Sequence, residues 1–183
     1  MDLYLLHAAQ TLRLACPGLA DVLRDLSGLG STVVLTLCAV ATVGYLALVG
    51  QRAQAMLVAA SALGGTLLVD LLKGWFSRLR PDLQFAELAV PGMSFPSGHA
   101  SMSAIVFLTI GFLIAGTRRR PTERRYIVAT AALLSLLVGL SRVALGVHWA
   151  TDVLGGWVFG LAWAMLWQQL ARRMAVGPAS PRS

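Results

Sequence analysis

Three short groups of polar residues interrupt an otherwise apolar chain, and their types could do chemistry. The richest is Ser141-Arg142 followed by His148 and Asp152. Charged groups beside bilayer-length apolar segments are costly, so each needs a partner or a task. His148 and Asp152 are four residues apart, a spacing that stacks two side chains on one face of a helix. A carboxylate so placed fixes the imidazole tautomer and leaves the other ring nitrogen free to act. The same pair also suits a buried ion pair closing a helix terminus, and this stretch alone does not separate the two readings.

The second group is Lys73 with Arg80-Pro81, near Trp75 and Phe76; Lys73 is the only lysine of the chain. Alone, this block reads as an interfacial anchor, with the cations snorkelling beside aromatic rings. The third is Phe95-Pro96-Ser97-Gly98-His99. Proline favours a helix start and Ser97 is suited to cap the free N–H groups. Gly98 lets an anion approach the backbone, and exposed amides at a helix N-terminus attract one. A plain Pro-Ser cap with an incidental histidine explains this block equally well by itself.

The elements that must position these residues can be read from composition. The chain has 183 residues, 57% hydrophobic and 13% charged, with a mean hydropathy of +0.72. Soluble domains are about 45–50% apolar and about 25% charged. The expectation is an all-α integral membrane helical bundle of about five spans, preceded by an N-terminal interfacial amphipathic segment. The spans run approximately Thr32–Val49, Ala55–Leu72, Ala100–Gly116, Tyr126–Leu145 and Trp149–Leu170. Residues 1–29 carry Asp21, Arg24 and Asp25 opposite an apolar stripe, with a break at Pro17-Gly18, and read as one or two helices in the interface. Residues 30–172 form the embedded domain, and 173–183 a disordered cytoplasmic tail. The start at Met1-Asp2 has no basic run of the kind a cleaved signal peptide carries.

The net charge of +7 does not imply nucleic acid, because five arginines cluster in Arg118–Arg120 and Arg124-Arg125 beside a span. With Arg52 and Arg172-Arg173 they mark one side as cytoplasmic. The long loop after Lys73 and the turn before Trp149 are then expected on the opposite, extracytoplasmic side. Lys73, Arg78, Arg80 and Arg142 then break the charge rule, which suggests that they are held for another purpose. Asp70 reads as a structural partner for Lys73 or for another helix. Gly155, Gly156 and Gly160 read as close helix packing, and Trp163 and Trp167 as inner-interface residues. His7 reads as interfacial, and Cys16 and Cys38 show no metal or redox spacing.

All three polar groups fall at the same ends of their spans. Three cations and helix-terminal amides suit a phosphate, whose transition state spreads charge over its equatorial oxygens. Two histidines and one orienting carboxylate suit a nucleophile and a general acid. Asp82 and Glu87 stand isolated in the loop and Asp152 is committed to His148, so no carboxylate cluster is available for magnesium. The expectation is chemistry without a metal cofactor, in a site that phosphate can occupy.

Lys-x6-Arg-Pro, Pro-Ser-Gly-His and Ser-Arg-x5-His-x3-Asp, in this order, resemble the three signature motifs of the type 2 phosphatidic acid phosphatase superfamily, with no substitution. The resemblance covers roughly residues 30–170, and the N-terminal segment resembles the interfacial helix of short bacterial members. It implies a lipid phosphatase acting through a phosphohistidine on His148, with Asp152 orienting it and His99 protonating the leaving oxygen. It implies Lys73, Arg80, Ser97, Gly98 and Arg142 as phosphate ligands, with Pro81, Pro96 and Ser141 in support. Substrates implied are phosphatidic acid, phosphatidylglycerophosphate or undecaprenyl pyrophosphate, with the bilayer as the other partner. The alternatives are a protein that binds or transports lipid phosphates without cleaving them, and an enzyme like the vanadate-dependent haloperoxidases of the same superfamily.

Overall fold

The structure is a computed structural model that describes residues 1–87 and 90–175. The expected tail lies largely outside the described residues, while its first positions continue a helix through Ala175. The described residues form seven helices in order: α1 (Asp2–Ala15), α2 (Leu19–Gly28), α3 (Thr32–Leu48), α4 (Arg52–Phe76), α5 (Gly98–Gly116), α6 (Pro121–Ala144) and α7 (Ala150–Ala175), with a short 3₁₀ turn at Leu83–Phe85. Among the described residues, five helical stretches are long and apolar enough to cross a membrane. The first of these counts Leu19–Leu48 as one run. The backbone turns between α2 and α3, where the Ser31 hydroxyl accepts a hydrogen bond from the Val34 N–H at 3.3 Å and starts α3 afresh.

Helix α5 is the axis of the bundle. Its sequence is apolar around the whole circumference, as a helix enclosed on all sides requires. Half of its apolar window is buried, against 17% for Leu19–Leu48. It packs on α4, α6 and α7. Small residues set its distance from α7. A Cβ on Gly160 would lie 2.6 Å from Ala104 Cβ and 2.7 Å from the Ser101 carbonyl, and one on Gly156 would lie 3.0 Å from the Ser97 carbonyl. Gly156 and Gly160 therefore work as the sequence indicated, by letting two backbones approach, whereas Gly155 makes room for the Phe95 ring. Trp163 differs from expectation. Its indole N–H donates to the Ser61 carbonyl of α4 at 2.9 Å, so it packs between helices.

The N-terminal segment forms two helices, and both dock onto the end of the bundle that carries the polar groups. Helix α2 packs on α6, and α1 packs on α6 and α7, with Leu6 fully buried. Arg13 donates to the carbonyls of Ala144 and Phe85. Glu87 is not isolated as the sequence implied: Arg24 donates to it at 3.0 Å and Arg13 lies 3.6 Å away. His7 stacks edge-on against Phe85, with 4.9 Å between ring centres. These contacts tie α1 and α2 to the loop between α4 and α5.

Candidate active site

Helix polarity brings the three polar groups together. Lys73 lies in the last turn of α4, His99 in the first turn of α5, Arg142 in the last turn of α6 and Asp152 in the first turn of α7. His148 is not on a helix with Asp152, contrary to the simple reading of their spacing. It lies in the turn before Ala150. That turn needs Gly146, whose φ is +74° and whose missing Cβ would fall 1.8 Å from the Phe85 carbonyl oxygen. The loop backbone thus sits directly on the turn and presses His148 into the bundle.

His148 and Asp152 are 1% and 0% exposed. Nδ1 of His148 faces Oδ2 of Asp152 at 3.5 Å. Nε2 faces Arg80 Nη1 at 2.9 Å. A guanidinium has donors only, so Nε2 carries the lone pair and the proton resides on Nδ1 beside the carboxylate. Burial pushes the His148 imidazole down to about 4; Arg80 and Arg142 push the same way, while its bond to Asp152 opposes them. The ring is neutral at pH 7, with its free nitrogen turned toward the cations.

Asp152 has more partners than His148. The Ser94 hydroxyl donates to Oδ2, and the Trp149 N–H donates to Oδ2 at 3.0 Å. Arg78 Nη1 donates to Oδ1 at 2.7 Å. Neither Ser94 nor Arg78 belongs to the sequence motifs. Arg78 was visible only as a cation that broke the charge rule, and Ser94 carried no signal beyond its closeness to Pro96.

Lys73, Arg80, Gly98, His99, Arg142 and His148 all line one cavity of about 680 Å³. A Cβ on Gly98 would lie 3.4 Å from Lys73 Nζ, so glycine leaves the ammonium free to reach the helix start. Burial lowers the pKa of the Arg80 guanidinium, and the Asp152 charge partly restores it; an arginine stays protonated in either case. Arg142 is 4% exposed. Its Nη1 donates to Ser27 of α2 at 2.7 Å.

Among the described residues, three buried polar atoms at this end have no hydrogen-bond partner: Arg142 Nε and Ser97 Oγ, and Arg13 Nε on the side of α1. Ser97 occupies the N-cap position of α5, but its side chain does not cap the helix. The resemblance implied Ser141 only in support of the phosphate ligands. Its hydroxyl donates to the Val138 carbonyl at 2.7 Å, and Ser27 positions Arg142. Pro81 and Pro96 are both buried, and the Phe95-Pro96 bond is cis. The Ser97 N–H that follows donates to the Asp152 carbonyl at 3.0 Å and locks the starts of α5 and α7 together.

Beyond the cations the cavity continues between α3 and α4, lined by Leu35, Ala39, Val40, Val43 and Leu63. Val40 and Leu63 remain exposed on the outside of the bundle, so the cavity opens sideways. Asp70 also lines it, and no hydrogen bond or ion pair joins Asp70 to Lys73 or to another helix among the described residues. The direct contact expected for Asp70 is therefore not formed, although its charge still acts on Lys73. No group of three His, Cys, Asp or Glu side chains among the described residues could hold a metal ion.

These features define a multi-pass helical membrane protein with a buried histidine–carboxylate pair inside a ring of cations. The chain belongs to the PAP2 superfamily, whose model matches residues 54–174. It is 43% identical over 97 residues to phosphatidylglycerophosphatase B of Bacillus subtilis, an alignment covering 52% of this chain and 47% of that protein. The chain thus spans about half the length of that curated relative. It is 29% identical to decaprenylphosphoryl-5-phosphoribose phosphatase of Mycobacterium tuberculosis, covering 84% of this chain and 81% of that one. The crystal structure of a transmembrane PAP2 type phosphatidylglycerolphosphate phosphatase from Bacillus subtilis matches with a TM-score of 0.85 at 29% identity, over 99% of this chain and 87% of the other.

Proposed function

We propose that this protein is a lipid phosphatase that hydrolyses a phosphomonoester or diphosphate through a phosphohistidine on His148. The observation that carries the reading is the setting of His148. Its Nδ1 faces a buried carboxylate, and its Nε2 faces a cation at the head of an apolar, sideways-opening cavity. A phosphate entering there displaces Arg80 from Nε2 and takes the guanidinium as its own partner. Lys73, Arg142, Ser97 Oγ and the Gly98 amide complete the cradle. Two of the unpartnered buried atoms, Arg142 Nε and Ser97 Oγ, gain acceptors in the same step.

His148 Nε2 then attacks phosphorus in line with the departing oxygen. The N–P bond forms, the P–O bond breaks, and His99 gives its proton to the leaving alkoxide. Asp152 supports the positive charge that develops on the His148 ring. In the second step His99 takes a proton from water, whose oxygen attacks phosphorus and releases orthophosphate, freeing His148. The four cationic and amide contacts stabilise the charge on the equatorial oxygens. The reaction needs no metal.

The apolar stretch of the cavity accepts lipid tails, and the relatives act on lipid phosphates as their names state. The site end of the bundle faces outward across a bacterial plasma membrane, because Arg52, the Arg118–Arg125 loop and Arg172-Arg173 all lie at the other end. The test is phosphate release by purified protein, in EDTA, from a panel that includes phosphatidic acid, phosphatidylglycerophosphate and undecaprenyl pyrophosphate. Turnover in EDTA with a trapped phosphohistidine supports the reading. Lipid binding without turnover indicates a carrier, and vanadate-dependent halide oxidation a haloperoxidase-like enzyme.

A further inference from the structure

We propose that Asp2, Arg78 and Thr151 form a positioning relay that sets the orientation and charge of Asp152, so that helix α1 takes part in catalysis. The proposal rests on the reading of His148 as nucleophile and Asp152 as its support. Its starting point is a polar network that the phosphate chemistry does not use.

Arg78 lies five residues past Lys73 but does not line the cavity. Its guanidinium turns behind the site. Nη1 donates to Asp152 Oδ1 and to Thr151 Oγ1, both at 2.7 Å. Nη2 donates to Asp2 Oδ2 at 3.1 Å. The Thr151 hydroxyl donates onward to Asp2 Oδ2 at 2.6 Å, and the Thr151 N–H to Asp2 Oδ1 at 3.3 Å. The guanidinium carbon lies 5.5 Å from the centre of the Trp149 ring, whose own N–H is fixed to the Leu79 carbonyl. Burial disfavours the Asp2 carboxylate, but the hydrogen bonds from Thr151 and Arg78 outweigh it and keep the group ionised at pH 7.

The result is a line of alternating charge: Asp2, Arg78, Asp152, His148. Each neighbour has a defined effect on the next. Arg78 holds Oδ1 and, with Ser94 and the Trp149 N–H on Oδ2, fixes the rotation of the Asp152 carboxylate so that Oδ2 faces His148. The same guanidinium draws charge from Asp152 and weakens its support for a cationic ring. Asp2 shares that guanidinium and limits the withdrawal. A tether for α1 would need the contact between Asp2 and α7 alone. It would not need the arginine between two carboxylates, one of them fully buried.

The experiment measures steady-state kinetics of Asp2→Asn, Arg78→Met, Arg78→Lys and the Asp2→Asn/Arg78→Met double variant, with His148→Ala as control. The substrate is a short-chain phosphatidic acid in detergent. Arg78→Met is expected to lower kcat about ten- to a hundredfold, the range set by losing a bond to a charged group, with KM within about twofold. Arg78→Lys recovers part of the loss. Asp2→Asn lowers kcat about three- to tenfold in the parent and not further in Arg78→Met, since it acts through the guanidinium.

The acid limb of kcat/KM adds a second readout. His148 is faced by Arg80 from the loop, Lys73 from α4, His99 from α5, Arg142 from α6 and Asp152 from α7, and none of these changes in the variants. Asp2→Asn moves the limb to lower pH and Arg78→Met moves it to higher pH. A kcat within twofold of the parent in Arg78→Met overturns the relay, as does an equal loss from Asp2→Asn in both backgrounds. If Arg78→Met fails to fold, Asp2→Asn alone decides: an unchanged kcat and limb overturn the proposal. Full activity in His148→Ala would instead overturn the reading of the nucleophile.

Discussion

The two ends of the bundle carry cations in opposite ways. At one end Lys73, Arg80 and Arg142 converge on a single cavity, and Arg142 is almost wholly enclosed. At the other, Arg118, Arg119, Arg120, Arg124, Arg125, Arg172 and Arg173 are all exposed. Their one ion pair among the described residues, Arg120 with Glu123, spans 3.8 Å between exposed side chains, an arrangement worth little. The arginine-rich end has more charge and less structure. The lesson is that burial with defined partners distinguishes a site, whereas a count of cations does not.

That contrast can be tested from its strongest point downward. His148→Ala removes the proposed nucleophile and is expected to cut phosphate release at least about a thousandfold. In the parent, kcat/KM should fall as pH passes below about 4, the value of the buried ring. The sign comes from chemistry: protonated His148 has no lone pair with which to attack. A pH titration of initial rates in short assays reads this directly.

Arg142→Lys keeps the charge but loses the fork that reaches both Ser27 and the cavity. Activity should fall about ten- to a hundredfold, with KM raised. Gly146→Ala forces a side chain against the Phe85 carbonyl at positive φ. It should cost about 2–4 kcal/mol, read by thermal unfolding in detergent. Ser97→Ala should lower kcat/KM about three- to tenfold while leaving unfolding unchanged, because the Ser97 hydroxyl has no protein partner to lose. At the opposite end, replacing Arg118, Arg119 and Arg120 with Gln should leave turnover per folded molecule within about twofold and alter orientation in the membrane. Labelling of cysteines introduced at positions 85 and 121 measures that orientation. A large loss of turnover there would erase the distinction between the two ends.

Much of this arrangement was legible in the chain. Apolar runs of spanning length can only be helices in lipid, so α3 to α7 can be read from composition and length. A charged residue in such a chain stands out, which made Lys73, Arg80, Arg142, His148 and Asp152 visible. The supporting contacts were not. Ser27 and Ser94 are ordinary serines whose roles arise only when α2 and the loop fold onto the site. Asp2 lies 76 residues from Arg78 in the chain, and no local pattern connects them. The same reason explains the misplaced partners. Ser97 was assigned to the helix amides and Asp70 to the nearest cation, yet tertiary packing gave both a different setting, while the Ser141 hydroxyl turns back on its own helix to the Val138 carbonyl.

In the proposed reaction, the sideways opening of the cavity governs how the products part. A single passage runs from the buried cations to exposed Val40 and Leu63. The reactant fits this passage with its head at one end and its tails at the other. Hydrolysis divides it into a small anion and an oily alcohol, and each leaves toward the phase that dissolves it. The two departures carry the products into separate media, where they seldom meet again. Reversal of the proposed reaction is thereby slowed, because the two products no longer meet at the site.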